Sequence, residues 1–503
     1  MSRKPLSAYL AYLENEIITL RGPAGLERLA VTGAANDSRR LGPDSIFVAI
    51  RGAADDGHRY LDRALAAGAR VVISERDLTL PSGVVAIRVR NAYAAAGLAA
   101  EVMYDFPARA LQLFGITGTN GKTTTAFLLR DILARAAPAG EKVGLLGTVG
   151  YDCGNGFVPA ERTTPDPFSL QSLLREMVAN GCRRAVLEVS SHALVQHRLG
   201  RMQCQVAIFT NLSGDHLDYH GTRENYFQAK SLLFRRHLRS FGIAIINGDD
   251  LCGRRLARSR PEPKRLVFTC QRPGGDWRLR RLREDFSGQI CQLTGSAEAC
   301  RLQSPLLGAY NAENLAAAAL AARNVGIPWE KIRAGLKAAG GVPGRLEKIL
   351  LPNGALALVD YAHTDDALAR VIETLRELPH RRLIVVFGCG GDRDRSKRPR
   401  MARAAAAADR VIVTSDNPRN EDPAAIIADI VAGFPAGCAS EIIPERRAAL
   451  ARGLELSGPG DLLLVAGKGH ENYQEIAGRR HPFDDRLELR RLSGLELAAS
   501  SVV

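Results

Sequence analysis

The stretch Phe114-Gly-Ile-Thr-Gly-Thr-Asn-Gly-Lys-Thr-Thr-Thr125 decides how the surrounding chain folds. An apolar run precedes it and a helical pattern from Ala126 to Leu133 follows, so the order is strand, glycine-rich turn, helix. Such a turn points backbone N–H groups and a helix N-terminus at an anion. The motif therefore predicts that Lys122 reaches the outer phosphates of a nucleotide and that the Thr123 hydroxyl binds Mg²⁺.

The composition predicts a globular protein of several domains. The chain has 503 residues, of which 46% are hydrophobic and 24% charged, which is enough to bury two to four cores. A run of about 18 apolar residues, which a membrane helix needs, is missing from the sequence, and the N-terminus has no signal-peptide pattern. The nine cysteines show no CxxC spacing, so we expect neither disulfides nor zinc, and a cytoplasmic location.

The net charge of +14 allows two classes of partner, nucleic acid or small polyanions such as nucleotides. The basic residues are mostly arginines spread along the chain, without a lysine- and arginine-rich block interleaved with aromatic residues. We therefore interpret the charge as a solvated surface that favours anionic substrates. A basic phosphate-loop protein that binds nucleic acid is the alternative from another class.

Alternating strand and helix patterns predict an α/β protein with three domains, at 1–107, 108–342 and 343–503. The first boundary follows a helical pattern that ends before Pro107. Within the second domain, residues 264–305 show short alternating runs and are expected to form antiparallel strands. Parallel strands place their following loops at one edge of a sheet, where ligands bind.

Polar residues follow several predicted strands of the central domain. Glu188 and His216 both stand at strand ends, and each alone has a plain interpretation as a salt-bridged carboxylate or a turn histidine. Beside a phosphate loop, the two together predict a metal site. Lys230 lies on a helical stretch between Tyr226 and Phe234, and that stretch alone favours a surface lysine whose stem packs on apolar neighbours.

The C-terminal domain repeats this arrangement with four polar strand ends. Asp360 follows one strand, and Arg419 and Glu471 lie in loops that follow two others. An arginine can bind a carboxylate with two parallel hydrogen bonds. A glutamate near it suits a ligand that carries both an ammonium and a carboxylate group.

Taken together, these motifs resemble those of the Mur ligases over nearly the whole chain. The matching segments are Gly118–Thr124, Glu188–Arg198, Asn211–His220, Tyr226–Lys230, Tyr310–Asn311, Gly344–Arg345, Asp360–Thr364, Asp416–Arg419 and Gly467–Glu471. The resemblance implies an N-terminal UDP-substrate domain, a central P-loop domain with a parallel mononucleotide-binding sheet, and a C-terminal Rossmann-like domain. It implies that ATP phosphorylates the D-glutamate carboxylate of UDP-MurNAc-L-Ala-D-Glu, and that meso-2,6-diaminopimelate attacks the acyl phosphate.

The resemblance also implies roles for individual residues. The implied ATP contacts are Gly118, Thr119, Asn120, Gly121, Lys122, Thr123, Thr124, Asn311, Arg345 and Asp360. The implied contacts to the UDP-substrate are Asn36, Ser38, Ala53, Ala54, Asp55, Thr163, Thr164, Ser190, Gln196 and Arg198. The implied contacts to the amino acid are Arg393, Asp416, Asn417, Pro418, Arg419, Gly467 and Glu471.

By the same resemblance, the catalytic residues are Lys122, Lys230 and His216, and Mg²⁺ is held by Thr123, Glu188, His216 and a carbamylated Lys230. Carbamylation needs a neutral amine, which is scarce at pH 7 for a lysine of ordinary pKa ~10.4. Burial lowers a lysine pKa and increases the neutral fraction. The resemblance therefore reverses the interpretation of Lys230 as a surface residue.

Three positions depart from the family pattern: Arg162, Gly214 and Asp365. They affect local contacts and leave the implied reaction unchanged. Within the family, L-lysine or another diamine is the alternative amino acid, and ligases that add a D-alanyl dipeptide or extend folates are further rivals. The Asp416–Arg419 loop argues against these two rivals, and lysine-adding relatives usually lack its arginine. We expect a monomer that acts on small molecules, without nucleic acid or membrane.

Overall fold

The computed structural model describes residues 3–52, 55–259 and 264–495 of the chain. Three large sheets within these residues build three α/β domains, which confirms the predicted fold class. Ala53 and Ala54, two of the expected contacts to the UDP-substrate, lie outside the described residues. No helix in the described part of the chain is both long enough and apolar enough to cross a bilayer.

The first domain has a five-stranded sheet and a separate two-stranded sheet, together with helices. Its strands are β1 Lys4–Pro5, β2 Ile17–Arg21, β3 Ala30–Val31, β4 Gly33–Ala35, β5 Ser45–Val48, β6 Ala69–Ser74 and β7 Val85–Val89. Its helices are α1 Leu6–Leu13, α2 Leu61–Ala66 and α3 Ala92–Met103. The sheet order is β2-β7-β6-β5-β4, and β2 is its antiparallel edge strand. Helix α3 begins where the Asn91 side chain accepts a hydrogen bond from the Ala94 N–H.

The central domain has an eleven-stranded sheet. Its strands are β8 Gln112–Thr117, β9 Lys142–Leu146, β10 Gly150–Asp152, β11 Phe157–Pro159, β12 Cys182–Glu188, β13 Cys204–Phe209, β14 Leu238–Asn247, β15 Lys264–Thr269, β16 Trp277–Asp285, β17 Gly288–Gly295 and β18 Ala299–Ser304. Its helices are α4 Lys122–Ala136, α5 Pro167–Ala179, α6 Ser191–Val195, α7 Leu217–His220, α8 Arg223–Arg236, α9 Leu251–Arg258, α10 Ala309–Asn324 and α11 Trp329–Lys337.

The order of the central sheet is β11-β10-β9-β12-β8-β13-β14-β15-β16-β17-β18. The predicted parallel sheet is present from β9 to β15, but the complete sheet is mixed. The prediction that residues 264–305 are all antiparallel is wrong for β15, which pairs in parallel with both β14 and β16. Within residues 264–305, β16, β17 and β18 form an antiparallel meander with short connections. Strands β9, β10 and β11 form a second antiparallel meander at the opposite edge of the sheet.

The C-terminal domain has a six-stranded sheet and a small hairpin. Its strands are β19 Glu347–Leu350, β20 Leu356–Asp360, β21 Leu383–Phe387, β22 Arg410–Val413, β23 Ser440–Ile442, β24 Leu462–Ala466, β25 Tyr473–Ile476 and β26 Arg479–Pro482. Its helices are α12 Asp365–Glu377, α13 Lys397–Ala405, α14 Pro423–Val431, α15 Arg446–Leu456 and α16 Asp485–Leu492. The sheet order is β19-β20-β24-β21-β22-β23, and its strands are parallel apart from β19.

Buried apolar side chains cover both faces of the central and C-terminal sheets. The polar loops therefore lie at the ends of the strands and not on the faces of the sheets. The two domains meet near one of these edges. The Asn120 amide donates to the Asp366 carboxylate across 3.3 Å, and the Lys348 ammonium donates to the carbonyls of Phe286 and Pro305 at 2.9 Å each. The phosphate loop consequently faces the C-terminal domain.

Candidate active site

The predicted phosphate loop connects β8 to α4 and is fixed by two glycines. Gly118 has φ +154° and Gly121 has φ +82°, both in the region that favours glycine. A side-chain carbon at Gly118 would overlap the Thr210 hydroxyl, and one at Gly121 would overlap the Asn314 amide. The loop is thus a tight strand–turn–helix with the N-terminus of α4 at its end, as the sequence predicts.

Two lysine amines converge on the Gly118 carbonyl. Lys122 Nζ lies 3.0 Å from this oxygen and 2.8 Å from the Thr119 carbonyl, and Lys230 Nζ lies 2.7 Å from Gly118 O. Burial lowers the pKa of Lys122, and burial together with the charge of Lys122 lowers the pKa of Lys230 well below its usual range. Lys230 is only 1% exposed, so the surface interpretation drawn from its helix alone is wrong.

Glu188 lies at the end of β12 beside the phosphate loop. The Thr123 hydroxyl donates to Glu188 Oε2 at 2.9 Å. The Thr148 N–H and hydroxyl donate to the two carboxylate oxygens at 2.9 and 3.0 Å. Gly147 must be a glycine at this place, because a side chain there would overlap the Glu188 carboxylate. Hydroxyl and carboxylate oxygens are the donors that Mg²⁺ prefers.

The structure joins only part of the predicted metal set. His216 Nε2 is 3.5 Å from Asp215, and its ring lies 5.0 Å from the His192 ring. Burial lowers the pKa of His216, which favours the neutral imidazole that can bind a metal. Thr123 and Glu188 are in contact, whereas Lys230 and His216 have other partners. Among the described residues, no group of three or more His, Cys, Asp or Glu side chains is arranged to hold a metal.

A small cavity of about 60 Å³ lies between the phosphate loop, α10 and the start of the C-terminal domain. The predicted ATP contacts that line it are Asn120, Gly121, Thr124, Asn311, Arg345 and Asp360. Asp360 accepts hydrogen bonds from the N–H groups of Leu346 and Ala362 at 2.7 and 2.8 Å. Burial raises the Asp360 pKa, against the opposing charge of Arg345. The buried Nε of Arg345 has no hydrogen-bond partner within the described part of the chain.

A second cavity, of about 1190 Å³, lies between the first and central domains. The predicted substrate contacts that line it are Asn36, Ser38, Asp55, Gln196 and Arg198. The remaining predicted contacts in the described chain are Thr163, Thr164 and Ser190, and Thr164 connects this cavity to Glu188. Arg198 donates to the Thr164 carbonyl at 2.5 Å and the Ser190 N–H donates to the Thr164 hydroxyl at 3.0 Å. The Thr164 hydroxyl in turn donates to the Glu188 carbonyl at 2.8 Å.

Three loops that follow parallel strands β21, β22 and β24 meet at one edge of the C-terminal sheet. The Asn417 amide donates to Glu471 Oε2 at 2.7 Å, and the Gly391 N–H donates to the Asn417 carbonyl at 2.9 Å. Gly467 packs so closely on Asp416 that a side chain would overlap the Asp416 carboxylate. Burial and the charge of Asp416 raise the pKa of Glu471.

Arg419 extends from the second of these loops with a left-handed backbone of φ +52°. Its guanidinium donates to the Gly391 carbonyl at 2.6 Å and lies 3.6 Å from the Glu475 carboxylate. Pro418 is buried beside it. Arg393 is exposed on the first loop, where it donates to the Asp392 carbonyl at 2.9 Å. The predicted amino-acid contacts are therefore assembled, with Arg393 at the solvent side.

Comparisons with known proteins show which family the chain resembles. Residues 30–114 match the model described as Mur ligase family, catalytic domain; residues 116–322 match Mur ligase middle domain; and residues 344–469 match Mur ligase, glutamate ligase domain. A relative from Gloeobacter violaceus, named UDP-N-acetylmuramoyl-L-alanyl-D-glutamate–2,6-diaminopimelate ligase, is 42% identical over 471 residues, which are 92% of this chain and 94% of that protein.

Two solved structures have the same fold. One, of a UDP-N-acetylmuramoyl-L-alanyl-D-glutamate–2,6-diaminopimelate ligase, is 36% identical, with a TM-score of 0.67 over 96% of this chain and 98% of that one. The other, the MurF ligase of Thermotoga maritima in complex with ADP, is 20% identical, with a TM-score of 0.61 over 91% and 96% of the two chains. The second likeness concerns the fold alone.

Two residues that contact the candidate site escaped the sequence-based prediction. Thr148 bonds Glu188 and also lies 3.1 Å from the Thr163 hydroxyl, but nothing in its local sequence distinguishes it from other threonines. Lys468 is fully buried beneath the third loop, where its ammonium contacts Asn417 at 3.3 Å and Glu471 at 3.4 Å. The sequence feature that could have indicated Lys468 is its position between two glycines in a loop that follows a strand.

We expect Thr148→Val to lower the free energy of unfolding by about 1–3 kcal/mol, because a buried carboxylate then loses a donor while the side-chain shape is kept. Denaturant titration measures the change. Thr148→Ser is the matched control, since it keeps the hydroxyl and should cost under about 1 kcal/mol for the lost methyl group. Equal losses in the two variants would show that the hydroxyl does not support Glu188.

Proposed function

The chain belongs to the Mur ligase family, and from that premise we propose that it is an ATP-dependent amide ligase of peptidoglycan precursor synthesis. It joins meso-2,6-diaminopimelate to the D-glutamate carboxylate of UDP-MurNAc-L-Ala-D-Glu. The relative's printed name supports this substrate pair. The observation that carries the proposal is the meeting of Arg419, Asn417 and Glu471 at a sheet edge in the same chain as a phosphate loop.

The chemistry has two steps that this site can support. A carboxylate oxygen of D-glutamate attacks the γ-phosphorus of ATP and ADP leaves, which converts a poor acyl donor into an acyl phosphate. An amine of the diamino acid then attacks the acyl carbon, and the tetrahedral adduct expels phosphate and loses a proton. Lys122 and the N-terminus of α4 face this region with positive charge, which stabilises crowded oxyanions.

The residues beside the phosphate loop fit a magnesium ion. Thr123 and Glu188 offer adjacent hydroxyl and carboxylate oxygens, and we propose that both hold it, with His216 as a further ligand. Bound Mg²⁺ supplies positive charge that neutralises phosphate oxygens. The orphaned Arg345 Nε and the small cavity beside Asp360 support a nucleotide contact at the domain junction.

Lys230 is proposed to be carbamylated. Its amine is buried against Gly118 O and burial lowers its pKa well below the usual range, which increases the fraction of the neutral form that reacts with CO₂. Carbamylation of the neutral amine gives an anion next to the Lys122 ammonium. The two opposite charges attract each other, and the carbamate offers oxygen ligands for the metal.

Recognition of the amino acid follows from opposite charges in one cluster. Asp416 and Glu471 suit an ammonium group, and Arg419 suits the distal carboxylate of diaminopimelate. L-Lysine lacks that carboxylate, so it gains nothing from Arg419 and is the alternative substrate to be excluded. A nucleic-acid partner is the alternative from another class, and a salt-dependent shift of DNA at physiological salt would favour it.

The remaining parts of the proposal concern the cell. We propose that the chain acts as a cytoplasmic monomer, and that its product supports cell shape and division through the wall. The nine cysteines, all free in the described chain, support a reducing compartment.

Domain boundaries at 107/108 and 342/343 are proposed from the short turn at Pro107–Ala110 and from the segment between α11 and β19.

The proposed activity is tested by supplying ATP, Mg²⁺, the UDP-muramoyl dipeptide and either diaminopimelate or L-lysine, and following amide and phosphate. We expect turnover with diaminopimelate. Arg419→Ala should lower kcat/KM for diaminopimelate about 100-fold or more, because a charged carboxylate loses its partner. Activity on L-lysine should change by less than about threefold, since lysine makes no such contact.

Arg410→Ala is the matched control for that experiment. Arg410 is an exposed arginine at the opposite end of β22, so its loss should leave both activities unchanged. Equal losses for the two amino acids in Arg419→Ala would contradict the role of Arg419. A wild-type chain that forms amide with L-lysine but not with diaminopimelate would overturn the substrate assignment.

Carbamylation is tested by ¹³C NMR of protein equilibrated with ¹³C-bicarbonate. We expect a carbamate signal at pH 8 that weakens as the pH falls, because protonation removes the reactive neutral amine. Lys230→Arg should abolish the signal, and Lys331→Arg, which changes an exposed lysine, should keep it. Lys230→Ala should lose activity and regain part of it with added short carboxylic acids. A signal that survives in Lys230→Arg would place the carbamate elsewhere.

A further inference from the structure

A fully buried ion pair lies behind the amino-acid loops and outside the residues assigned so far. Arg446 begins α15 and Asp485 begins α16. Arg446 Nε and NH2 donate to the two Asp485 oxygens at 2.7 Å each, and both side chains are 0% exposed. This two-bond geometry is specific to arginine and carboxylate.

The same guanidinium also reaches the two strand ends from which the amino-acid loops start. Its NH2 donates to the Ala466 carbonyl at 3.1 Å, and its NH1 lies 3.4 Å from the Ser415 carbonyl. Ser415 directly precedes Asp416, and Ala466 directly precedes Gly467. One side chain therefore spans β22 and β24, which are not neighbours in the sheet because β21 lies between them.

The charges around Arg446 connect it to the recognition site as well. Burial acts to lower its pKa, but the negative charges of Asp485, Asp416 and Glu471 outweigh burial and raise it. Asp416 and Glu471 are the carboxylates assigned to the ammonium of the amino acid. Arg446 thus offsets part of the repulsion between two acidic groups that must lie close together.

We propose that Arg446 and Asp485 are positioning residues for the amino-acid substrate, which set the spacing between the 416–419 and 467–471 loops. The inference rests on the proposed ligase function. It extends the recognition site to α16, which begins at Asp485 and follows the region 344–469 that matches the family model. Neither residue touches the reacting atoms, so we expect an effect on binding of the diamino acid rather than on ATP.

A merely stabilising role is the competing explanation, and a double substitution separates the two. Replacing a buried ion pair by apolar side chains of similar size is often neutral for stability, whereas removing one partner is costly. Arg446→Met/Asp485→Leu therefore removes the contacts to both loops without leaving an unpaired charge. The neighbouring pair Arg447 and Glu488 joins the same two helices at 2.8 Å but is partly exposed, so Arg447→Met/Glu488→Leu is a matched control.

The test measures KM for diaminopimelate, KM for ATP, kcat and the melting temperature of both double variants. For Arg446→Met/Asp485→Leu we expect KM for diaminopimelate to rise about tenfold or more, as a loss of positioning requires, and KM for ATP to stay within about twofold. The control should keep every constant within about twofold. An unchanged KM for diaminopimelate, or equal increases for diaminopimelate and ATP, would overturn the inference.

If the double variant does not fold at the assay temperature, Arg446→Lys is used in its place. The change in KM for diaminopimelate is then compared with the change in KM for ATP. Lysine keeps the buried positive charge but cannot bond Asp485 and both carbonyls together. A rise confined to diaminopimelate supports positioning, and no rise contradicts it. Failure of the proposed function looks different, because the wild-type chain would then form no amide with diaminopimelate at all.

Discussion

The site depends on one tight turn, the phosphate loop between β8 and α4. Gly118 and Gly121 leave no room for side chains because Thr210 and Asn314 fill the space beside them. The turn is therefore held from β13 on one side and from α10 on the other. Its Gly118 carbonyl accepts hydrogen bonds from both Lys122 and Lys230. The backbone of the turn therefore also positions the two amines. A change in this turn would displace both amines.

The rest of the chain arranges three sheets around that turn. Strand ends of the central sheet carry Glu188, strand ends of the C-terminal sheet carry the amino-acid loops, and the first domain closes a cavity of about 1190 Å³. Thr164 links Glu188 to Arg198, which lines that cavity. Making an amide from a carboxylate requires a phosphoryl donor, a carboxylate and an amine in one place. The architecture offers a separate binding region for each.

Local sequence predicted the parts that are set by local physics. The strand–turn–helix at 114–133, the end of α3 before Pro107 and the polar loops after parallel strands were all predicted. The sequence did not indicate that β16 to β18 extend the central sheet, because such pairing depends on contacts distant along the chain. The burial of Lys230, Lys468 and Arg446 was also not readable from periodicity, which places charged residues at the surface. The burial of a charged side chain can be predicted only when its partners are known, because charged residues are rarely buried without a partner.

The central claim is that the D-glutamate carboxylate is activated by the γ-phosphoryl group of ATP, and an isotope experiment tests it most directly. The UDP-muramoyl dipeptide is prepared with ¹⁸O in that carboxylate and turned over with ATP and diaminopimelate. The account predicts that one ¹⁸O atom per amide appears in inorganic phosphate, since the acyl C–O bond breaks when the amine attacks. Release of unlabelled phosphate, or transfer of the label to AMP, would contradict it.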